Sequence, residues 1–182
     1  MTLLILGLVL WTAAHFFKRI MPDVRARMGD KGKGLMALIM VAGIVLMIIG
    51  YRGMGEVYVW SPPSWAIHVT DLLMLISVVL LGLGNSQSRF RGLIRHPMLA
   101  GVRAWAAAHL LVNGDLASIV LFGGMFLWAS AEVMVLNRAE PNWVRPEPGT
   151  LAGDIKLAVI SIVIYAVIAG VHTWLGYPVF PG

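Results

Sequence analysis

GLMALIMVAGIVLMIIG, residues 34–50, is the stretch that decides the fold, because none of its side chains is charged. A helix of about 20 apolar residues crosses the hydrocarbon core of a bilayer. Six apolar segments of this kind occur along the chain, and they are Met1–Phe17, Gly34–Gly50, Trp65–Gly84, Met98–Val112, Leu116–Leu136 and Ile155–Leu175. Because lipid cannot hydrogen-bond to backbone amides, the sequence predicts an all-α polytopic membrane bundle of six transmembrane helices, in a single domain over residues 1–182.

The composition excludes several classes of protein. Hydrophobic residues make up 59% of the chain and charged residues 13%, whereas charged residues are about a quarter of a soluble domain. The chain has no cysteine, which excludes disulfides, thiolate metal ligands and a cysteine nucleophile. It offers no soluble basic face, so we expect membrane lipid and no nucleic acid as a partner.

Basic residues are concentrated in alternate loops. Of the 14 Lys and Arg residues, all but Arg52 and Arg103 follow spans one, three and five. They are Lys18, Arg19, Arg25, Arg27, Lys31, Lys33, Arg89, Arg91, Arg95, Arg138, Arg145 and Lys156. The positive-inside rule therefore predicts that these three loops are cytoplasmic and that both termini lie outside. No basic residue precedes the first span, which predicts a retained anchor rather than a cleaved signal peptide.

The fourth span is short and carries Arg103, but the alternation of basic loops would break without it. Pro97 suits the first turn of its helix, and Asn113-Gly114 suits the end. Asp115 is then expected to cap the fifth span. Small residues at four-residue spacing, which allow a neighbouring helix or a flat ligand to approach closely, are Ala100, Ala104 and Ala108.

Two histidines, His15 and His109, lie inside apolar spans, where an imidazole is costly and therefore a functional candidate. Trp105 and Asn113 stand four residues before and after His109, so one helix face presents an indole, an imidazole and a carboxamide. Two histidines without thiolate or carboxylate companions are too few ligands for a typical zinc site. Two neutral imidazoles on facing helices instead suit the axial positions of haem b. The alternative is that each histidine forms a structural hydrogen bond between helices.

The other three histidines lie nearer to the membrane surfaces. His68 opens span three with Asp71 one turn later, which predicts a hydrogen-bonded structural pair. His96 stands at an interface and His172 near the outer end of span six, positions that are typical of structural roles. The basic side chains that are candidates to pair with a haem propionate are Arg95 and Arg103.

The depths of the two intramembrane histidines leave the ligand pairing open. At 1.5 Å per residue from Pro97, His109 lies about 18 Å into its span, whereas His15 stands just before the basic residues that end span one. If both bind one iron, span one must continue past Lys18 or tilt strongly. Otherwise the expected pairs are His109 with His68 or His172, and His15 with His96.

A long block of the chain resembles the NnrU family of bacterial membrane proteins. The matching residues are Arg95-His96-Pro97-Met98, Gly101-Val102, Trp105, Ala108-His109-Leu110, Asn113-Gly114-Asp115, Ser118 and Leu121-Phe122-Gly123. His15 and the closing His172-Thr173-Trp174-Leu175-Gly176 also fit the ends of the family. The resemblance implies a multi-span protein of the bacterial inner membrane with a role in nitrite and nitric oxide reduction during denitrification. The outer side on which the positive-inside rule places both termini is then the periplasm.

NnrU proteins are in turn distantly similar to the 15-cis-zeta-carotene isomerases, which share the Arg-His-Pro block and a following helix with a Trp and a His. In that family two histidines hold haem b, and the matching positions here are His15 and His109. The resemblance thus implies haem b as cofactor and leaves a carotenoid-type cis-trans isomerase as one function. A cysteine of the isomerases, invoked in a redox-dependent ligand switch, is replaced here by Ala106.

Two further functions stay open. The Arg-His-Pro block is also similar to the isoprenylcysteine carboxyl methyltransferases, which implies a membrane methyltransferase as an alternative. The third class is a non-enzymatic assembly factor or an electron-transfer partner of a reductase. The expected partners are therefore a small apolar substrate or a redox partner protein, and the sequence does not fix the oligomeric state.

Overall fold

The structure is a computed structural model, and it describes residues 1–180. The described chain is all-α, as predicted, and its β-structure amounts to isolated bridges such as the one between Tyr58 and Asp115. Its helices are α1 (Thr2–Ile20), α2 (Pro22–Arg27), α3 (Gly29–Arg52), α4 (Ala66–Leu83), α5 (Pro97–Val112), α6 (Leu116–Ala139) and α7 (Leu151–Trp174).

Five of the described helices, α1, α3, α4, α6 and α7, are long and apolar enough to cross a membrane. The chain is therefore a multi-pass membrane protein. Helix α5 has 16 residues and a length of about 24 Å, short of the roughly 30 Å of hydrocarbon that a perpendicular span must cross. A sixth crossing stays a prediction.

The helix ends differ from the apolar segments in the sequence. Helix α1 continues to Ile20 and α3 begins at Gly29, so basic residues predicted to lie in the loop stand on helical turns. The charge of a side chain does not break the backbone hydrogen bonds of a helix, and long cationic side chains can reach the headgroups from its last turn. The short helix α2 between them was not predicted. Pro22 begins it, and Asp23 occupies the first turn, where the helix dipole favours an acid.

The described chain forms two compact units. Unit 1 combines Met1–Trp60 with Gly114–Ala139, and unit 2 combines Ser61–Asn113 with the described residues from Glu140 onward. The prediction of one domain over the whole chain stays a prediction.

In unit 1, glycines allow α1 and α3 to pack with their backbones in contact. A Cβ atom at Gly7 would lie 2.6 Å from the carbonyl oxygen of Gly43 and 2.7 Å from the amide nitrogen of Met47. Gly50 meets the backbone of Leu4, whose side chain is fully buried. In a bilayer, where helices gain little from the hydrophobic effect, such close approach is a main source of association. Helix α6 makes a second, smaller contact with α1.

Asp115 caps the start of α6, as the sequence predicted. Its Oδ1 atom accepts a hydrogen bond from the Ser118 amide at 2.9 Å, and its Oδ2 atom accepts one from the Ser118 hydroxyl at 2.6 Å. Tyr51 of α3 reaches the same hydroxyl at 2.9 Å. The start of α6 is thereby linked to the end of α3 within unit 1.

In unit 2, α4 packs against both α5 and α7. The Ser77 hydroxyl donates to the carbonyl of Gly101 at 2.8 Å, and the Thr70 hydroxyl donates to the carbonyl of Ala108 at 3.0 Å. Both acceptors are on α5, and Ala108 is fully buried. The predicted stripe of small residues therefore contacts α4 through Ala108. The other contact with α4 is made by Gly101, which follows Ala100 and is not part of the stripe.

The loops of unit 2 are joined by Asp154, in the first turn of α7. Its carboxylate accepts hydrogen bonds from the Ser88 hydroxyl at 2.7 Å, the Arg89 amide at 2.8 Å and the Arg89 Nε at 2.5 Å. Ser88 is fully buried. Thr150 caps α7 by accepting from the amide of Gly153. The segment from Glu140 to Thr150, which contains Pro141, Pro146 and Pro148, is non-helical, and these contacts hold its end to the loop before α5.

We expect Gly7→Ala to lower the free energy of unfolding by about 1–3 kcal/mol, because the added methyl group meets backbone atoms of α3 that cannot move aside. Gly34→Ala is the matched control, since a Cβ atom there has nothing within 4 Å. Thermal unfolding of the detergent-solubilised protein measures both. Equal stability of the two variants would contradict the close contact of α1 with α3.

We expect Asp154→Asn to open the loop before α5. The Asn side chain has no negative charge to pair with the Arg89 guanidinium, and only its oxygen atom can accept hydrogen bonds, whereas both carboxylate oxygens of Asp154 accept them. Limited trypsin digestion should then cut after Arg89 and Arg91 several times faster than in the wild type. Asp30→Asn is the control, since the Asp30–Lys33 pair is on the surface of α3. Unchanged cleavage in Asp154→Asn would contradict the assigned role of this carboxylate.

Candidate functional site

Three histidines share one local geometry. The Nδ1 atom of His15 lies 2.8 Å from the Trp11 carbonyl oxygen, that of His109 lies 2.9 Å from the Trp105 carbonyl, and that of His172 lies 2.8 Å from the Ile168 carbonyl. A carbonyl oxygen only accepts, so Nδ1 carries the proton in each ring and the lone pair is on Nε2. Imidazoles that bind metal ions are oriented by the same kind of hydrogen bond.

In unit 1, His15 of α1 lies within a cluster of three aromatic rings. Its ring centroid is 4.3 Å from that of Trp11 and 4.7 Å from that of Trp128 on α6, and the two indole centroids are 5.3 Å apart. Trp128 is 6% exposed. Helix α1 continues past Lys18 to Ile20, so His15 stands inside the helix and not at its end.

In unit 2, His109 stands near the end of α5. Its ring packs against Trp105 with centroids 5.2 Å apart, and the side-chain amide of Asn113 donates to the His109 carbonyl at 2.8 Å. The predicted face of Trp105, His109 and Asn113 is therefore present. Asn113 contacts the backbone carbonyl of His109 and not its ring, and it ends the helix.

His15 and His109 occur in the same five-residue pattern, Trp-x-x-Ala-His. The pattern is Trp11 to His15 in unit 1 and Trp105 to His109 in unit 2, and the alanine before each histidine is buried. It is visible in the sequence at a fixed spacing. The pattern was not predicted, since its two copies lie in different spans.

The remaining histidines lie at helix ends. His68 is exposed in the first turn of α4 and interacts electrostatically with Asp71, which also lies close to Tyr165 of α7. His96 is the N-cap residue of α5. His172, in the last turn of α7, is close enough to His109 for the two rings to interact electrostatically within unit 2.

The two candidate arginines both have buried Nε atoms. Arg95 donates through Nη2 to the carbonyl of Glu140, yet its Nε has no hydrogen-bond partner. The Nε atom of Arg103, on α5, is likewise buried without a partner among residues 1–180. Arg103 is inside the apolar segment of α5, where a cationic donor is stable only beside an anion or an acceptor, whereas Arg95 precedes the helix. The Nε atom of Arg103 thus fits a carboxylate such as a haem propionate.

No group of three or more His, Asp or Glu side chains in the described chain is arranged to hold a metal ion. A tetrahedral site of the structural zinc type would need such a group. Axial ligation of haem requires one or two imidazoles and places no such demand on neighbouring side chains.

The sequence profile of the family described as NnrU protein matches residues 3–179. No curated protein and no solved structure matches the chain significantly. Because the profile covers nearly the whole chain, the protein belongs to the NnrU family.

Proposed function

We propose that this NnrU protein binds haem b and that His15 and His109 supply its axial imidazoles. The observation that carries the proposal is the Nδ1 hydrogen bond of each histidine to the tryptophan carbonyl four residues earlier. This bond fixes the tautomer and leaves Nε2 as the basic nitrogen, which is the nitrogen that ligates iron in most haem proteins. Because the carbonyl oxygen attracts the Nδ1 proton, the bond also makes Nε2 more basic and therefore a stronger ligand.

The other candidate residues are assigned by the groups they offer. Arg103 and Arg95 have buried guanidinium nitrogens for the propionates, Trp105 packs on the His109 ring, and Asn113 fixes the end of α5. When bound, haem b would supply one-electron redox chemistry at its iron. A role in nitrite and nitric oxide metabolism would then require a membrane redox partner protein.

Histidine substitution tests the ligand assignment. Purified from haem-replete cells, the wild-type protein should show the Soret and narrow visible bands of low-spin, bis-imidazole haem. His15→Ala and His109→Ala should each lose the low-spin bands, because one axial nitrogen is removed. Leu110→Ala, which changes the neighbour of His109 and keeps both imidazoles, should retain them.

The same spectra separate the alternative pairs. Loss of the low-spin bands in His172→Ala, with His15→Ala unchanged, would assign His109 and His172 as the ligands. A corresponding loss in His68→Ala would assign that residue instead. A colourless wild-type protein would contradict haem binding altogether.

We also propose that the chain crosses the bacterial inner membrane six times, with both termini in the periplasm and α5 as a crossing helix. The support is the alternation of basic loops: if the loop of Arg89–Arg95 and the loop that contains Arg145 are both cytoplasmic, the chain between them crosses the membrane twice, once with α6 and once with α5. A helix of 24 Å can cross if flanking residues reach the interfaces or the bilayer thins locally.

Reporter fusions test this topology. Alkaline phosphatase, which is active only in the periplasm, should be active when fused after Gly55 or Phe180. Green fluorescent protein, which fluoresces only in the cytoplasm, should fluoresce when fused after Ile94 or Pro141. If α5 does not cross, alkaline phosphatase should instead be active after Pro141 and green fluorescent protein should fluoresce after Phe180. The results at Gly55 and Ile94 would stay the same.

A further inference from the structure

Apolar and cationic side chains are exposed together where the chain passes from α1 to α3 in unit 1. We call residues 18–33, from the last turn of α1 through α2 to the first turns of α3, the connecting segment. Helices α1 and α3 pack antiparallel, since Gly50 meets the backbone of Leu4 and Gly43 meets that of Gly7. The apolar part of α1 ends where the connecting segment begins and that of α3 follows it, so the segment lies at the membrane surface.

Three cations of the connecting segment have no partner within the described chain. Of the other basic residues there, Arg25 donates to a backbone carbonyl of α3 at 3.0 Å, and Arg19 also interacts within the protein. Lys33 lies 2.9 Å from Asp30. The remaining basic side chains are exposed, with neither a hydrogen bond nor an ion pair among residues 1–180, and they are Lys18, Arg27 and Lys31. The exposed acid that remains is Asp23, so unpaired positive charge is in excess.

The same segment exposes three apolar side chains. Ile20, Met21 and Val24 are 74%, 47% and 41% exposed. Met21 and Val24 stand three positions apart and therefore share one face of α2. Asp23 and Arg27, four positions apart, share another. In the headgroup layer of a bilayer, apolar side chains of such a helix enter the acyl chains while long cationic side chains reach the phosphate groups. The exposed pattern therefore fits a lipid surface.

We propose that the connecting segment binds anionic phospholipids. Its three exposed apolar side chains lie between acyl chains, and the cations at the phosphate groups are Lys18, Arg27 and Lys31. Continuity with two membrane-spanning helices makes lipid the occupant of the apolar face, and the excess of positive charge selects the headgroup. A zwitterionic headgroup brings a cation of its own to the segment, whereas an anionic headgroup brings net negative charge. Neither haem nor the side of the membrane on which the segment lies enters into this selection.

Because the chain has no cysteine, Val24→Cys provides a single thiol for a fluorescent label on the apolar face of α2. The labelled protein is placed in vesicles of phosphatidylcholine and phosphatidylglycerol, in which one lipid or the other carries bromine atoms that quench the label on contact. Brominated phosphatidylglycerol should quench at a mole fraction about fivefold lower than brominated phosphatidylcholine, roughly the contribution of one cation near an anionic surface. Val41→Cys is the control, since Val41 is 56% exposed in the apolar part of α3, and both lipids should quench it equally.

Charge variants of the labelled protein test which cations select the lipid. Arg27→Gln/Lys31→Gln, combined with the label at Val24→Cys, should lose most of the preference for phosphatidylglycerol. Arg145→Gln/Lys156→Gln is the matched control, because it removes the same two charges from unit 2 and leaves the connecting segment intact. It should keep the preference. Raising the salt concentration should weaken the preference in the wild-type background, since mobile ions screen exposed charges.

Proteolysis of the wild-type protein in detergent micelles provides a readout that needs no substitution. Phosphatidylglycerol should slow trypsin cleavage after Arg27 and Lys31 several-fold, because a bound phosphate group and the protease compete for the same cations. Phosphatidylcholine at the same concentration should leave the rate unchanged. A soluble arginine peptide in the same micelles controls for inhibition of the protease itself.

Each outcome decides the proposal. Equal quenching of the Val24→Cys label by the two lipids, or equal cleavage with and without phosphatidylglycerol, would overturn the anionic preference. Absence of quenching at Val24→Cys by either lipid, while Val41→Cys is quenched, would mean that protein covers the apolar face and would overturn the lipid contact. Equal loss of preference in the two charge variants would assign it to the net charge of the protein and overturn the site.

Discussion

Within a bilayer, each backbone polar group must find its hydrogen bond inside the protein, and this constraint also determines how the histidines are held. A helical carbonyl that already accepts from the amide four residues ahead still has a second lone pair. A histidine four residues further along can donate Nδ1–H to it. His15, His109 and His172 do so, because each follows at least one complete turn of helix.

The position of a histidine along its helix therefore decides its chemistry. His68 stands in the first turn of α4 and His96 precedes α5, so neither has a helical carbonyl four residues before it. The helix itself fixes the tautomer of the other three before any tertiary contact forms. The tertiary contacts of His15 and His109 differ. Trp128 of α6 packs against the His15 ring, whereas the tryptophan that contacts the His109 ring, Trp105, is on the same helix.

Local features were predictable from the sequence and packing partners were not. The apolar runs, Pro97 at the start of α5, Asn113 at its end and Asp115 as the cap of α6 all follow from the residues in a single turn. The contact of Trp128 with His15 joins positions more than a hundred residues apart, and no periodicity within α6 marks that face. The unpredicted contact of Gly101 with α4 has the same origin, because small residues occur on several faces of α5 and only the partner helix selects one.

The buried groups without hydrogen-bond partners indicate what kind of ligand would complete the protein. Trp11 and Trp128 in unit 1, and Arg95 and Arg103 in unit 2, each have a buried nitrogen that can only donate. Unbonded donors of this kind cost roughly 1–3 kcal/mol each, and more where the group is charged. A group that lowers this cost must offer hydrogen-bond acceptors, and beside an arginine a negative charge strengthens the bond. The propionates of the proposed haem would meet this requirement at Arg95 and Arg103 in unit 2. The buried Oδ1 atom of Asp71, which also lacks a partner among residues 1–180, would by contrast need a hydrogen-bond donor.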